Sequence, residues 1–298
     1  MRIAVIGAAV LWGTAGTAGA LVAGVDPVSL AAARLVVGGL VLAAVTAPVL
    51  RPALAPGGPL RARPGALAAA TVAVAAYQLC FFAAIGRTGV AVGTVVAIGS
   101  GPVFTGLLSW LLDGVRPGRR WAGATAVAIT GCAVLTGGGG QVRADGVLLA
   151  LLGGLLYAFY AVTAARAIGA GAPSDAVMGL MFGGAGLVMV PVLLWTGTAW
   201  LAEPRGLLVA LYLGCATTAL AYLLYGRGLR TTSVAVAATL ALAEPAVAAL
   251  LGVAVLGERL TPASAAGLLL LGISLVAVAR PERGTTGSGG RTAIGSSA

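Results

Sequence analysis

Residues 65–112 read GALAAATVAVAAYQLCFFAAIGRTGVAVGTVVAIGSGPVFTGLLSWLL, and Arg87 is the only charged residue among them. A helix needs about 20 apolar residues to cross the hydrocarbon core of a bilayer. The stretch is therefore long enough for two crossings, 65–86 and 90–112, with a turn around Gly86-Arg87-Thr88 between them. It predicts a chain that folds as a series of membrane-spanning helices.

The composition of all 298 residues supports an integral membrane protein. Hydrophobic residues make up 59% of the chain and charged residues only 9%, whereas a soluble domain carries about 25% charged residues. This excludes a soluble enzyme, a secreted disulfide scaffold and a disordered protein. The chain has no His, and Cys80, Cys132 and Cys215 lie singly inside apolar runs. We therefore expect no metal site, cofactor or disulfide framework.

Ten segments are apolar and long enough to span a bilayer. They are 3–25, 28–50, 65–86, 90–112, 120–138, 146–168, 174–196, 205–226, 232–256 and 262–279. The predicted fold is an all-α integral membrane protein with ten transmembrane helices. The Gly-, Ser- and Thr-rich residues 281–298 are predicted to form a disordered cytoplasmic tail.

The arginines define an orientation, because loops rich in Lys and Arg stay in the cytoplasm. If the N-terminus is cytoplasmic, 13 of the 18 arginines fall on the inner side and four on the outer side, and Arg34 lies within a span. Both termini are therefore predicted to be cytoplasmic. The arginines are scattered singly, a pattern that favours contact with anionic lipid over nucleic acid.

The chain contains a weak internal repeat at an offset of about 144 residues. The matching elements are Leu11-Trp12-Gly13 with Leu156-Tyr157-Ala158, Gly86-Arg87-Thr88 with Leu229-Arg230-Thr231, and Gly101-Pro102 with Glu244-Pro245. They predict two five-helix repeats, 1–140 and 141–280. Because five is odd, the second repeat must be inverted relative to the first, as in many carriers that work by alternating access.

The paired prolines of the two repeats indicate a binding site near the middle of the membrane. Pro102 and Pro245 cannot donate backbone hydrogen bonds to Ile98 and Ala241. Carbonyls left free in this way must face protein or a wet cavity. Interrupted helices at corresponding positions are typical of transporter binding sites, although a simple proline kink is the alternative.

Two charged residues lie inside predicted spans. An ionised Glu244 near the bilayer centre costs about 3 kcal/mol on insertion scales, so the carboxyl is either protonated or faces a wet cavity or a cation. Either arrangement suits proton coupling or substrate contact; the alternative is a structural hydrogen bond to a neighbouring helix. Arg34 either extends to the outer interface, or lines an outer vestibule, where it attracts anions or pairs with an acid.

Several aromatic and amide side chains are further candidates for a cavity lining. They are Trp12, Tyr77, Gln78, Tyr157, Tyr160 and Tyr222. Trp and Tyr near helix ends are often interface anchors instead. Tyr77 and Gln78 lie deep in the third helix, which favours a cavity role for these two.

These features resemble an EamA-type member of the drug/metabolite transporter superfamily, over about residues 3–279. The resemblance rests on Leu11-Trp12-Gly13, Ala33-Arg34, Glu244-Pro245 and Leu256-Gly257-Glu258-Arg259-Leu260-Thr261. It implies ten helices in two inverted repeats, a bacterial inner-membrane location, export of small metabolites or drugs, and a central cavity lined by helices 1, 3, 4, 6, 8 and 9. The first half has Gly101 at the position where the second half has Glu244. This difference argues against a symmetric role of the two halves.

The function expected from the sequence is a secondary transporter that exports small organic metabolites, amino acids or drugs by alternating access, with protons as a candidate coupling ion. The chain has no Lys and so no Walker A motif. An uncoupled facilitator or channel-like permease is the alternative. An intramembrane enzyme ranks third, because the acids are dispersed and His is absent. The substrate's charge stays open, because Arg34 favours an anionic substrate and Glu244 favours a cationic one.

Overall fold

The computed structural model describes residues 2–22, 24–135, 143–257 and 261–279, and all regular structure in these ranges is helical. The helices are α1 (Arg2–Ala20), α2 (Pro27–Leu54), α3 (Pro64–Gly89), α4 (Val92–Asp113), α5 (Arg119–Leu135), α6 (Ala144–Gly169), α7 (Ser174–Thr196), α8 (Pro204–Leu229), α9 (Val234–Val255) and α10 (Pro262–Ala279). Nine of these helices are long and apolar enough to cross a membrane. The predicted fifth span, 120–138, continues from α5 into residues outside the described ranges.

The helix ends follow local sequence signals. Asp26 begins α2, since its Oδ1 accepts hydrogen bonds from the backbone N–H groups of Val28 (2.7 Å) and Ser29 (3.1 Å), as an N-cap should. A glycine in the left-handed region, φ +80° at Gly89, separates α3 from α4. Only glycine adopts that conformation without strain, so the turn predicted between residues 86 and 90 has a physical basis.

The two halves of the chain interlock rather than lie side by side. Helices from the first half pack mainly on helices from the second: α2 on α7, α3 and α4 on α6, α5 on α10, and α1 on α8 and α9. Glycines allow the closest approaches. A Cβ atom at Gly186 of α7 would lie 2.9 Å from the carbonyl oxygen of Leu35 on α2, and one at Gly183 would lie 2.8 Å from Ala43 Cβ.

Two helices of the second half depart from regular α-helix. Helix α8 contains a π-helical turn over Cys215–Leu220. Helix α9 is broken at Leu242, where ψ is −2°, so the second segment, Ala243–Leu256, begins one residue before Glu244. The break predicted around Glu244-Pro245 is therefore present.

The prediction of a matching interruption in the first half is wrong, because α4 stays helical across Pro102. Close packing on α6 explains why the proline does not break the helix. A Cβ atom at Gly154 of α6 would lie 2.9 Å from the carbonyl oxygen of Ala97, and Gly101 lies against the ring of Tyr157. Proline costs a helix one backbone hydrogen bond, and surrounding packing holds the backbone in place despite that loss.

Candidate functional site

A small chamber of about 70 Å³ lies at the centre of the helix bundle. It is lined by Trp12, Arg34, Tyr77, Gln78, Phe81, Phe82, Ala97, Ile98, Tyr157, Tyr160, Tyr222, Ala238, Ala241 and Glu244. These residues come from α1, α2, α3, α4, α6, α8 and α9. All six helices that the resemblance implied as cavity-lining contribute residues to this chamber, and α2 contributes Arg34 in addition.

The chamber adjoins a larger vestibule of about 760 Å³, and Trp12, Arg34 and Glu244 line both. The vestibule extends to the end of α1 and the start of α2, to the facing ends of α3 and α4, and to the C-terminal half of α9. All these helix ends lie on the face of the bundle opposite the N-terminus. The chamber is therefore approached from that face.

Eight of the eleven residues proposed from the sequence line the chamber together: Trp12, Arg34, Tyr77, Gln78, Tyr157, Tyr160, Tyr222 and Glu244. Pro245 lines the vestibule. Gly101 lies behind Tyr157, with its Cβ position 3.0 Å from Tyr157 Cδ1, and Pro102 is absent from the lining of either space. The aromatic side chains are interior groups rather than interface anchors, since Trp12 is 5% exposed and Tyr160 2% exposed.

Arg34 points into the bundle and does not extend to the outer interface. Its Nε donates to Thr218 Oγ1 at 3.0 Å and its Nη2 to the carbonyl oxygen of Thr217 at 3.5 Å. Both threonines belong to the π-helical turn of α8, and Thr218 Oγ1 itself donates to the carbonyl oxygen of Leu213 at 3.0 Å. Guanidinium has five N–H donors, so Arg34 retains donors for a ligand in the chamber.

Glu244 occupies the first turn of the segment that follows the break in α9. A carboxylate is favoured at a helix N-terminus, where backbone N–H groups lack intrahelical partners. Among the described residues none donates a hydrogen bond to this carboxylate, and no ion pair joins it to Arg34. The structural alternative, a hydrogen bond from Glu244 to a neighbouring helix, thus finds no partner in the described part of the chain.

Aromatic rings that line the chamber pack against one another and against rings behind them. Phe182 and Tyr222 are stacked with centroids 3.6 Å apart, and Trp12 lies 5.1 Å from Tyr222. The hydroxyls of Tyr157 and Tyr225 are hydrogen-bonded at 3.1 Å. The indole Nε1 of Trp12 is buried and has no hydrogen-bond partner among the residues that the structure describes, which leaves a donor available beside the chamber.

Sequence reasoning missed several of these aromatic residues. Phe81 and Phe82 line the chamber, and their position one helical turn after Tyr77 and Gln78 is a signal that could have identified them. Phe182 carried no such signal, because its ring meets Tyr222 through the packing of α7 against α8.

The N-terminal face of the chamber is closed by contacts between the two halves. Trp121 of α5 donates its indole N–H to the carbonyl oxygen of Ala235 and to Thr239 Oγ1 of α9, both at 3.1 Å. An ion pair of 3.1 Å joins Arg166 of α6 to Asp113 of α4. The site is thus open to one face and closed to the other.

A polar site deep within membrane-spanning helices, with access from one face, is typical of a membrane transporter. The EamA-like transporter family matches the chain twice, over residues 2–137 and 144–280. The chain belongs to the EamA-like transporter family, which confirms the predicted family and the fold of ten helices in two inverted five-helix repeats. Residues 258–260 of the motif that supported the resemblance, and the tail 281–298, lie outside the described residues.

The similarity to individual proteins extends over nearly the whole chain, as two examples show. One is the uncharacterized transporter YwfM of Bacillus subtilis (strain 168), which is 37% identical over 280 residues, covering 93% of this chain and 92% of that protein. The other is a solved crystal structure that superposes with a TM-score of 0.79 at 19% identity, covering 93% of this chain and 96% of that one. At 19% identity, the similarity to this crystal structure supports a shared fold only.

Proposed function

We propose that the protein is a secondary carrier that exports small zwitterionic solutes, such as amino acids, across the bacterial inner membrane by alternating access. The two repeats, 1–140 and 141–280, would be the units that move. The observation that carries the proposal is the placement of Arg34 and Glu244 around one chamber without contact between them. An amphoteric ligand would satisfy both charges at once.

The chemistry of the chamber supports a zwitterion over a simple cation or anion. Arg34 is suited to a carboxylate, which guanidinium binds in a bidentate manner. Glu244 is suited to an ammonium group, and the aromatic walls add a favourable environment for that cation. The unpartnered indole N–H of Trp12 offers a further donor to a substrate oxygen. The volume of about 70 Å³ favours a small solute.

One-sided access supports the alternating part of the proposal. With the N-terminus in the cytoplasm, as the arginine distribution predicts, the vestibule faces outward and the closed face is cytoplasmic. Export then requires the contacts of Trp121 and of the Asp113–Arg166 pair to open. Glu244 would take up a proton from outside once the substrate has left, and release it inside when the next substrate binds.

The test is counterflow in proteoliposomes preloaded with a neutral amino acid. External amino acid should exchange saturably, whereas its methyl ester, which lacks the carboxylate, and the matching acid without the amine should not. Polyamines and cationic dyes serve as controls for a cation carrier. Exchange supported by these cations alone would overturn the zwitterion proposal. Flux that neither saturates nor accelerates on preloading would indicate a channel-like permease instead.

A further inference from the structure

A second pocket, of about 440 Å³, lies at the end of the bundle opposite the vestibule. It is formed where the C-terminal ends of α4 and α10 meet the N-terminal ends of α5 and α9, and Arg2 of α1 closes one side. Two of its lining residues, Asp113 and Trp121, belong to the closed face, but the transport proposal places no ligand in this pocket.

The lining of this pocket, which we call the inner-face pocket, is strongly basic. Among the described residues that line it, Arg2, Arg116 and Arg120 stand against a single acid, Asp113, whose carboxylate is paired with Arg166 at 3.1 Å. Each of these arginines keeps donors for a ligand, since a guanidinium has five.

The partners of the arginines show which donors are already used. Arg2 Nη1 donates to the last carbonyls of α10, at 2.7 Å to that of Ala279, and Arg120 Nη2 donates to that of Ala277 at 2.8 Å. The guanidinium of Arg116 lies over the ring of Trp110, and no described residue accepts a hydrogen bond from it. Arg116 is therefore the arginine with the most donor capacity left for a ligand.

Two helix N-termini also border the inner-face pocket. Gly118 and Ser233, which line it, directly precede α5 and α9, and the side chain of Ser233 does not cap its helix. The first N–H groups of a helix lack intrahelical partners and carry a partial positive charge. Such ends bind phosphate and other oxyanions readily.

An unsatisfied buried hydroxyl provides independent evidence for a ligand. Ser109 of α4 lines the inner-face pocket and is only 8% exposed, yet its Oγ has no hydrogen-bond partner in the described part of the chain. Leaving a buried hydroxyl unpaired is costly. A ligand oxygen in the pocket could accept a hydrogen bond from this group.

We propose that the inner-face pocket binds a phosphate group, carried either by an anionic membrane lipid or by a soluble phosphate. Arginine donors, two helix N-termini and a free hydroxyl together suit a tetrahedral oxyanion with several acceptor oxygens. The pocket lies on the face predicted to meet the anionic cytoplasmic leaflet, where basic pockets between helices bind lipid headgroups. This site is separate from the transport chamber, and its existence does not depend on the proposed substrate.

The test is a binding measurement on the full-length protein in neutral detergent, by native mass spectrometry. The probes are phosphatidylglycerol, phosphatidylcholine and inorganic phosphate. Ser109→Ala and Arg116→Gln should each weaken phosphatidylglycerol binding about tenfold, the effect of losing one hydrogen bond to a charged group. Arg63→Gln is the matched control, because it removes an exposed arginine beside the first residue of α3 on the same face.

Competition with inorganic phosphate distinguishes the two sources. Displacement of bound phosphatidylglycerol by phosphate would assign the pocket to a soluble phosphate, whereas retention of the lipid would assign it to the headgroup. Equal binding by the wild type, Ser109→Ala and Arg116→Gln would overturn the proposal, as would an equal loss in Arg63→Gln. Thermal melting of each variant without lipid checks that the pocket variants remain folded.

Discussion

Gly13 is a residue at which a single methyl group should disturb the chamber. A Cβ atom added there would lie 2.6 Å from Val247 Cβ and 2.7 Å from the carbonyl oxygen of Glu244. Carbon atoms in contact are normally about 3.5–4.0 Å apart, so α1 and α9 would have to separate by about 1 Å. Overpacking of this kind costs about 1–3 kcal/mol, and the separation would also move the backbone that carries Glu244.

Gly16→Ala provides the matched control for Gly13→Ala. Gly16 lies one turn further along α1, and, apart from the neighbouring backbone of α1 itself, no atom of the described residues lies within 4 Å of its Cβ position. Both variants gain the same intrinsic helix propensity, about 1 kcal/mol, so the difference between them isolates the contact with α9. The assay is thermal unfolding in detergent, followed by tryptophan fluorescence, together with counterflow transport.

We expect Gly13→Ala to unfold about 2–12 °C below Gly16→Ala, from the cost of about 1–3 kcal/mol and a slope of about 2–4 °C per kcal/mol for chains of about 150–250 residues. Transport should fall further in Gly13→Ala than in Gly16→Ala, whose added methyl group lies in the vestibule and leaves the backbone of Glu244 in place. If the two variants unfold at the same temperature and transport equally well, the close approach of α1 to α9 at Glu244 is not present in the protein.

Three further predictions concern the chamber and its closed face. Arg34→Lys keeps the positive charge but loses the planar guanidinium that binds a carboxylate through two hydrogen bonds. The KM measured in counterflow should therefore rise about tenfold, which corresponds to the loss of one charge-assisted hydrogen bond. An unchanged KM would argue against contact between Arg34 and a substrate carboxylate. Trp121→Phe removes an indole N–H bond worth about 1 kcal/mol. A cysteine placed at Ala238 in a cysteine-free background should therefore be labelled about fivefold faster from the N-terminal face. An unchanged labelling rate would count against Trp121 as part of the closure. Arg166→Gln should lower the free energy of unfolding by less than about 1 kcal/mol, with the loss disappearing at high salt; a large, salt-independent loss would contradict the partly exposed geometry of this ion pair.

The sequence predicted the membrane spans well, because each depends on local apolar length and on turn residues such as Asp26 and Gly89. It also identified chamber residues such as Glu244, since a charge inside an apolar run is visible without a structure. It could not predict that α4 stays helical across Pro102, which depends on packing against α6. Nor could it predict the stacking of Phe182 on Tyr222, which depends on contacts between helices far apart in the chain.

The most direct test of the proposed carrier is a measurement of proton movement driven by substrate in proteoliposomes. The wild-type protein and Glu244→Gln are compared after an amino acid gradient is imposed, with a pH-sensitive dye inside the vesicles. Glutamine keeps the size of the side chain but cannot take up a proton at neutral pH. We predict substrate-dependent proton movement in the wild type and its loss in Glu244→Gln. Saturable amino acid flux without proton movement in either protein would contradict the coupling role of Glu244 and would leave an uncoupled facilitator.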